Sequence, residues 1–244
     1  MLSLQGRRTS NQDRVLVVRP DDESKDIIAV VADGLGGMFA GDKAAEIAVE
    51  TLKESADELF AAMAGEFEDA SGCVFDAYQR ANDRIRNYAE NHGRPGGVGT
   101  TLTTWIASGS RYLCVNIGDS RCYMVNAGVH QVTRDHSVAD ELLNQGVLAA
   151  ADYSTSPLRH QLTKSLGARL HSDPDVFPET GFGEIVQGQT ILLCSDGFYA
   201  KLEDEDFAKL GASTDLNATL LKLANDALSR GTSDNLSAVV IHLD

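Results

Sequence analysis

Residues 27–37 read IIAVVADGLGG, and this stretch decides the fold prediction. Six apolar residues, four of them β-branched, predict a strand that is buried on both faces. An aspartate and a glycine-rich turn follow at once, so a carboxylate stands where the strand ends. The β-branched run at 15–18 precedes this strand across a charged loop at 19–23, which favours an antiparallel hairpin.

Helical periodicity begins after the glycine turn. Apolar residues recur every three or four positions from 44 to 63 and again from 74 to 88. The two patterns predict two long amphipathic helices separated by a break at 65–72.

Strand signals return in the middle of the chain, at 100–107, 112–117, 122–125 and 129–132. The connections between these runs are short and contain Gly, Ser, Asp or Asn. They are too short for the crossover that parallel strands need, so the pattern predicts an antiparallel meander with Asp119 at a hairpin turn.

The remaining pattern completes the fold prediction. It indicates helices at 138–144 and 215–229. It indicates strands near Val176, at 190–194 and at 236–243. This order predicts one α+β domain over residues 1–244, a four-layer sandwich of two antiparallel β-sheets flanked by α-helices.

Composition narrows the class of protein. The 244 residues carry a formal net charge of −15, with 43% hydrophobic and 23% charged residues, which is typical of a globular protein. The acidic surface argues against nucleic acid or an anionic membrane as a partner, and no apolar run is long enough for membrane insertion. The four cysteines form no CxxC motif, and no signal peptide begins the chain. We therefore expect a cytoplasmic protein with free thiols.

Five aspartates fall at the ends of predicted strands: Asp13, Asp33, Asp119, Asp196 and Asp234. Any one of them alone is most simply a turn former. Five together could converge on one edge of the sandwich, and such a carboxylate cluster suits Mg²⁺ or a similar hard cation. A zinc site is disfavoured, because the six histidines form no HxxxH or HExxH motif.

The DGLGG turn has a competing interpretation as a nucleotide-binding loop. The spacing argues against it, because GxGxxG would need glycine where Phe39 stands. The chain also lacks GxxxxGK[ST].

Eight motifs in order make the chain resemble the metal-dependent serine/threonine protein phosphatases, the PPM or type 2C family, in their compact bacterial form. The resemblance covers nearly the whole chain. The motifs are RTSNQD (8–13), VVADGLGG (30–37), GTT (99–101), NIGDSR (116–121), TRDHS (133–137), LTKSLGA (162–168), LLCSDG (192–197) and SDNLS (233–237).

The resemblance implies a binuclear Mg²⁺ or Mn²⁺ centre at one end of the sandwich. By position, Asp33 matches the carboxylate that bridges both ions, and Gly34 matches a carbonyl ligand. Asp196 and Asp234 match carboxylates on one ion, while Asp13 matches the acidic residue that supports the other, largely through water.

Two further roles follow from the same resemblance. Asp119 with Asp196 matches a third, weaker metal site of bacterial members. Arg8 matches the arginine that holds the substrate phosphate, so Arg8 and Asp33 are the expected catalytic residues. A guanidinium suits this task, because its planar fork can donate to two phosphate oxygens.

This sequence departs from the family pattern at three positions. Gln12 stands where some relatives carry Glu, and His160 stands where bacterial relatives usually carry Asn. Leu35 replaces a histidine that animal members are proposed to use as general acid, so the leaving oxygen must be protonated by another route. His136 is interpreted as a structural hydrogen-bonding residue. Residues 137–160 match the family's flap, with a flexible tip of small residues.

The expected activity is hydrolysis of phosphoserine and phosphothreonine in proteins, by a water that two metal ions activate. The expected partners are phosphorylated proteins, including a serine/threonine kinase, and the chain is expected to be a monomer. One alternative is a catalytically weak or dead phosphatase-like module that binds a phosphoprotein or a kinase. Another is a hydrolase of small phosphate esters, because the core chemistry is the same.

Overall fold

The computed structural model describes residues 1–36, 40–168 and 178–243. Its strands are Leu2–Leu4 (β1), Arg14–Val18 (β2), Ile27–Ala32 (β3), Gly34–Leu35 (β4), Gly99–Thr100 (β5), Leu102–Ser108 (β6), Arg111–Ile117 (β7), Arg121–Val125 (β8), Val129–Gln131 (β9), Glu179–Glu184 (β10), Gln189–Cys194 (β11) and Leu236–Leu243 (β12).

The α-helices alternate with these strands. They are Gly41–Glu54 (α1), Ala56–Met63 (α2), Phe67–Asn91 (α3), Val138–Asn144 (α4), Ala150–Tyr153 (α5), Asp196–Tyr199 (α6), Asp204–Gly211 (α7) and Leu216–Ser229 (α8). A 3₁₀ turn spans Pro157–His160.

The strands form two five-stranded sheets and a small two-stranded one. One sheet has the order β10-β7-β6-β3-β2 and the other the order β1-β12-β11-β8-β9, while β4 pairs with β5. The strand pairs are antiparallel, including the predicted hairpin of β2 and β3.

Strand β3 explains how the layers stack. Its alternate residues Ile28 and Val30 belong to the core formed with helices α1 to α3, while Ala29 and Val31 belong to the core between the two sheets. A third core lies between the second sheet and helices α6 to α8. Because a strand between two cores is buried on both faces, its sequence is apolar throughout. The predicted four-layer α+β sandwich is confirmed.

The predicted meander is wrong at one connection. Strands β6 and β7 pair as expected, but β8 pairs with β9 and β11 in the other sheet. Residues 118–120 are therefore a crossing between sheets and not a hairpin turn. At the start of this connection Gly118 has a φ of +107°, a conformation that glycine adopts readily.

A predicted helix also differs from the structure. The first predicted helix is interrupted at Ser55, whose hydroxyl donates a 2.8 Å hydrogen bond to the carbonyl of Thr51. The strand expected near Val176 lies outside the described residues. Within the described part of the chain, the helices are too short or too polar to cross a membrane.

Candidate metal centre

Strand register brings the predicted aspartates to one end of the sandwich. In the first sheet Arg14 pairs with Ala32, so Asp13 and Asp33, the next residues outward, stand side by side. Since neighbouring antiparallel strands run in opposite directions, the start of β2 and the end of β3 lie at the same end of the sheet.

The second sheet repeats this arrangement. Cys194 pairs with Arg121 on one side and with Ala238 on the other, so the end of β11 lies beside the starts of β8 and β12. Asp196 follows β11, and Asp119 and Asp234 precede the two neighbouring strands. The five predicted carboxylates therefore lie at the same end of the two sheets, four of them on loops and Asp196 at the first residue of α6.

A cavity of about 460 Å³ opens at this end. Six of the seven residues predicted for the site line it, namely Arg8, Asp33, Gly34, Asp119, Asp196 and Asp234. Asp13 does not line the cavity, because it is buried beneath it with 1% of its surface exposed.

Asp33 is held through its own backbone. Its N–H donates a 2.9 Å hydrogen bond to Oγ1 of Thr101, and its carbonyl accepts a 2.9 Å hydrogen bond from Oγ1 of Thr100. The Thr101 hydroxyl also lies 2.8 Å from the hydroxyl of Ser120, next to Asp119 in sequence. The GTT motif thus ties the loop of Asp33 to the loop of Asp119.

Gly197 lets the loops of Asp196 and Asp234 approach each other. A Cβ at this position would lie 2.0 Å from the carbonyl oxygen of Asn235 and 2.8 Å from Cβ of Asp234. No side chain fits in that space, so the glycine after Asp196 is required for the two carboxylates to be neighbours.

Asn235 fastens the N-terminal loop to the same place. Its amide nitrogen donates to the carbonyls of Gln5 and Ser10 at 2.8 and 2.9 Å, and its Oδ1 accepts from the backbone N–H of Gln12 at 3.0 Å. This clamp holds residues 5–12 over the cavity. Within that loop, Nη2 of Arg8 lies 2.6 Å from Oδ2 of Asp234.

Asp13 has one satisfied and one unsatisfied oxygen. Its Oδ2 accepts a 2.8 Å hydrogen bond from the hydroxyl of Ser195, while its buried Oδ1 has no hydrogen-bond partner. Burial, together with the charges of Asp196 and Asp234, raises the pKa of Asp13 to about 6. A buried carboxylate oxygen without a donor is costly and suits an ion or an ordered water.

Burial and neighbouring carboxylates also raise the pKa of aspartates that line the cavity. Burial and the neighbouring aspartates raise the pKa of Asp33 and of Asp119 well above the usual range. Of the described residues that line the cavity, Arg8 carries the only guanidinium or ammonium group. One cation faces four carboxylates in the lining, so the site has an excess of negative charge.

This donor set fits divalent magnesium or manganese. Carboxylate oxygens and a backbone carbonyl are the hard ligands that these ions prefer. Across residues 1–36, 40–168 and 178–243, no three acidic, histidine or cysteine side chains are already grouped closely enough to hold an ion. Two of the carboxylates have other neighbours, because Asp234 contacts Arg8 and Asp196 lies near His160. An ion would have to compete with these contacts.

The two histidines near the site, His160 and His136, have different environments. Nδ1 of His160 lies 3.6 Å from Oδ2 of Asp196, whose carboxylate raises the pKa of this exposed imidazole. His136 is buried, and its Nδ1 accepts a 3.0 Å hydrogen bond from the backbone N–H of Gly118. Burial lowers the pKa of His136. Its geometry agrees with the structural interpretation.

Sequence reasoning missed several residues that organise the site. The motifs GTT, LLCSDG and SDNLS were recognised, but no role was predicted for four of their residues, Thr100, Thr101, Ser195 and Asn235. The available signal was their position, because each lies within one or two residues of a predicted ligand or in a motif of its own. Their partners are distant in sequence, so the contacts themselves could not be read from it.

Comparisons with known proteins agree with this geometry. The protein phosphatase 2C family profile matches residues 3–237. The serine/threonine phosphatase stp of Listeria innocua is 31% identical over 223 residues, which cover 91% of this chain and 86% of that protein.

Solved structures give the same result. The PPM Ser-Thr phosphatase MsPP from Mycobacterium smegmatis, solved in complex with cacodylate, superposes with a TM-score of 0.78 at 32% identity, covering 100% of this chain and 97% of that one. The catalytic domain of the serine threonine protein phosphatase PstP, in complex with 2 manganese ions, superposes with a TM-score of 0.81 at 26% identity, covering 100% and 96%. The chain belongs to the protein phosphatase 2C family of metal-dependent serine/threonine protein phosphatases.

Proposed function

We propose that the chain hydrolyses phosphoserine and phosphothreonine in proteins at the cavity that Arg8 and the four lining aspartates form. The observation that carries this proposal is the convergence of one guanidinium and four carboxylates at one end of the sandwich. A phosphate monoester dianion would not enter a site with this excess of negative charge unless cations neutralised it.

Two Mg²⁺ or Mn²⁺ ions, when bound, supply a nucleophilic water at neutral pH and neutralise charge on the transferring phosphoryl group. The residues proposed to hold them are Asp33, Gly34, Asp196 and Asp234, with Asp13 beneath. The unsatisfied Oδ1 of Asp13 and the two manganese ions in the PstP structure support this assignment. A third, weaker ion is proposed at Asp119 and Asp196.

Arg8 is proposed to bind the phosphate. Its side chain is 57% exposed at the cavity, and its loop is fixed by Asn235. In the structure its guanidinium donates a 2.6 Å hydrogen bond to Asp234, which supports a role beside the proposed metal ligands. A phosphate held by Arg8 would therefore lie between the guanidinium and the proposed ions.

Leaving-group protonation is not assigned to a side chain. Leu35 lines the cavity where animal relatives carry a histidine, and an apolar side chain transfers no proton. No observation favours a catalytically dead module, because Asp33, Asp196 and Asp234 are all present at the cavity.

Four wider expectations belong to the same proposal. We infer that residues 1–244 form one domain, which the family match over 3–237 supports. A monomeric state, a cytoplasmic location and a serine/threonine kinase among the substrates stay predictions. The four free cysteines, three of them buried, are compatible with a reducing compartment.

The test is a phosphatase assay on one phosphothreonine peptide, with Mn²⁺, with Mg²⁺ and with EDTA. We expect turnover with either ion and none with EDTA, and a phosphotyrosine peptide of the same sequence should be a poorer substrate. Turnover that persists in EDTA would overturn the metal-dependent proposal. Efficient turnover of a small phosphate ester, with none of the peptide, would favour the small-ester alternative.

A further inference from the structure

The segment 137–160, which contains α4, α5 and the 3₁₀ turn, is closed at its base. Ser137 and Leu162 form an antiparallel bridge, and the N–H of Val138 donates a 2.9 Å hydrogen bond to the carbonyl of Gln161. The base therefore has a defined position at the cavity, where Leu162 is part of the lining.

The tip of the segment is attached by a different contact. The hydroxyl of Tyr153, at the end of α5, donates a 3.1 Å hydrogen bond to Oδ2 of Asp135. Asp135 is also held by Arg121, whose Nε and Nη2 donate to its two oxygens at 2.8 and 2.7 Å. Both side chains of this ion pair are buried, with 12% and 3% of their surfaces exposed. Tyr153 thus docks on a bidentate ion pair that is complete without it.

The ion pair also lies beneath the Asp119 loop. The guanidinium of Arg121 stacks over the ring of Tyr199 at 3.9 Å, and the Tyr199 hydroxyl donates a 3.0 Å hydrogen bond to the carbonyl of Asp119. Arg121 therefore holds Asp135, on which the tip of the segment docks, and through Tyr199 it also contacts the backbone of the Asp119 loop.

A second set of contacts leads from Tyr153 to the cavity. The guanidinium carbon of Arg159 lies 5.4 Å from the centroid of the Tyr153 ring, and Nη1 of Arg159 donates a 2.9 Å hydrogen bond to the carbonyl of Ser154. The next residue, His160, lines the cavity. Arg159 thus links Tyr153 to the 3₁₀ turn, whose last residue lines the cavity.

We propose that Tyr153 is a positioning residue that docks segment 137–160 for recognition of the polypeptide around the phosphorylated residue; this rests on the proposed function. The phosphoryl group itself is proposed to be bound by Arg8 and by ions on the cavity aspartates, whereas the Tyr153 hydroxyl donates to Asp135. A substrate that is little more than a phosphoryl group needs no docked segment, whereas a phosphopeptide extends past the cavity wall. Tyr153 therefore contributes to peptide binding and not to phosphoryl transfer.

The experiment compares Tyr153→Phe with the wild type and with Tyr88→Phe. The first change removes one hydroxyl and leaves the Arg121–Asp135 pair intact. Tyr88 is a matched control on α3, where its ring lies against His92. Amide hydrogen exchange of residues 149–156 is measured in EDTA, and KM and kcat are measured with Mn²⁺ for a phosphothreonine peptide and for p-nitrophenyl phosphate.

Loss of one hydrogen bond should speed exchange of the tip by about fivefold. In Tyr153→Phe, KM for the peptide should rise by about fivefold, while kcat and both constants for p-nitrophenyl phosphate stay within about twofold. Unchanged exchange, or equal losses on both substrates, would overturn the proposal. If the wild type does not turn over the peptide, the proposed function fails instead, and the exchange measurement still decides whether Tyr153 docks the segment.

Discussion

Two regions of the molecule place aspartates under opposite electrostatic conditions. At the cavity, burial and neighbouring carboxylates raise the pKa of Asp33 and Asp119 well above the usual range. At the start of α7, the pKa of Asp206 is held below its usual range by hydrogen bonds from Arg230 and Lys209 and from the backbone N–H of Glu203.

The direction of the pKa shift distinguishes a carboxylate with a structural role from carboxylates with a functional role. Asp206 completes a capping box with Glu203, so its charge is satisfied within the fold. The cavity aspartates raise one another's pKa, and Asp13 beneath them has a buried oxygen without a donor, which is unfavourable for stability alone. Such a cluster is expected where an ion supplies the missing charge.

Asp33→Asn gives the largest expected effect. If Asp33 holds both proposed ions, a neutral amide would be a much weaker ligand than the carboxylate, so kcat/KM for a phosphothreonine peptide should fall by about a thousandfold. In EDTA at pH 7 the variant should be at least as stable as the wild type. A carboxylate whose pKa is raised by folding costs stability as the pH rises above its unfolded value of about 4, and the substitution removes that cost.

Steady-state kinetics and calorimetric melting in EDTA check the two halves of this prediction. Near-normal turnover would remove Asp33 from the metal site. A large loss of stability without metal would mean that Asp33 resembles Asp206 and has a structural role.

Arg8→Ala should have the next largest effect. Loss of a charge-assisted contact to phosphate should lower kcat/KM by about 10- to 150-fold, mainly through KM, with little change in Mn²⁺ affinity. Arg8→Lys keeps the charge without the planar fork and should recover only part of the loss. Unaltered kinetics would show that Arg8 is a surface residue paired with Asp234, and a large shift in the Mn²⁺ midpoint would show that its role is in metal binding.

Asp119→Ala should be milder than Asp33→Asn. If Asp119 contacts only a third, weaker ion, kcat should fall by about tenfold while binding of the first two ions is retained. The measurement is kcat over a range of Mn²⁺ concentrations. Complete loss of the first two ions would place Asp119 among their ligands.

Asp206→Asn should affect stability and not activity. We expect a loss of about 1 kcal/mol at pH 7, a modest value because Arg230 is partly exposed and solvent screens the pair. Since the folded-state pKa of Asp206 is depressed, its contribution is present above its unfolded value of about 4 and disappears as the pH falls through the folded value. Urea unfolding at pH 7 and near pH 2.5 should show the difference shrinking, and a constant difference would contradict the assignment.

The sequence predicted the buried strands well and the sheet crossing poorly. Strand β3 was predicted with the same first and last residues that the structure shows. A run such as IIAVVA has apolar side chains on both faces of a strand, so it is stable only when both faces are buried. The connection at 118–120 was misread, because three residues with Gly, Asp and Ser suit a hairpin as well as a crossing between sheets. Which sheet β8 joins depends on its pairing with β11, about seventy residues later.

The carboxylates of the site were predicted from the sequence, but the hydrogen bonds that hold them in place were not. Asp33, Asp119, Asp196 and Asp234 follow or precede strands, and antiparallel pairing then places them together at one edge. The supports of the site join parts of the chain that are far apart, as in the hydrogen bond from Ser195 to Asp13 across 182 positions. No local pattern carries such information.

The most direct test of the central claim is Mn²⁺ binding measured by isothermal titration calorimetry at pH 7. We expect two ions per wild-type chain, a large loss of binding in Asp33→Asn, and unchanged binding in Asp206→Asn. A wild-type chain that binds no Mn²⁺, or an Asp33→Asn variant that binds it as tightly as the wild type, would contradict the claim that the cavity aspartates hold the metal.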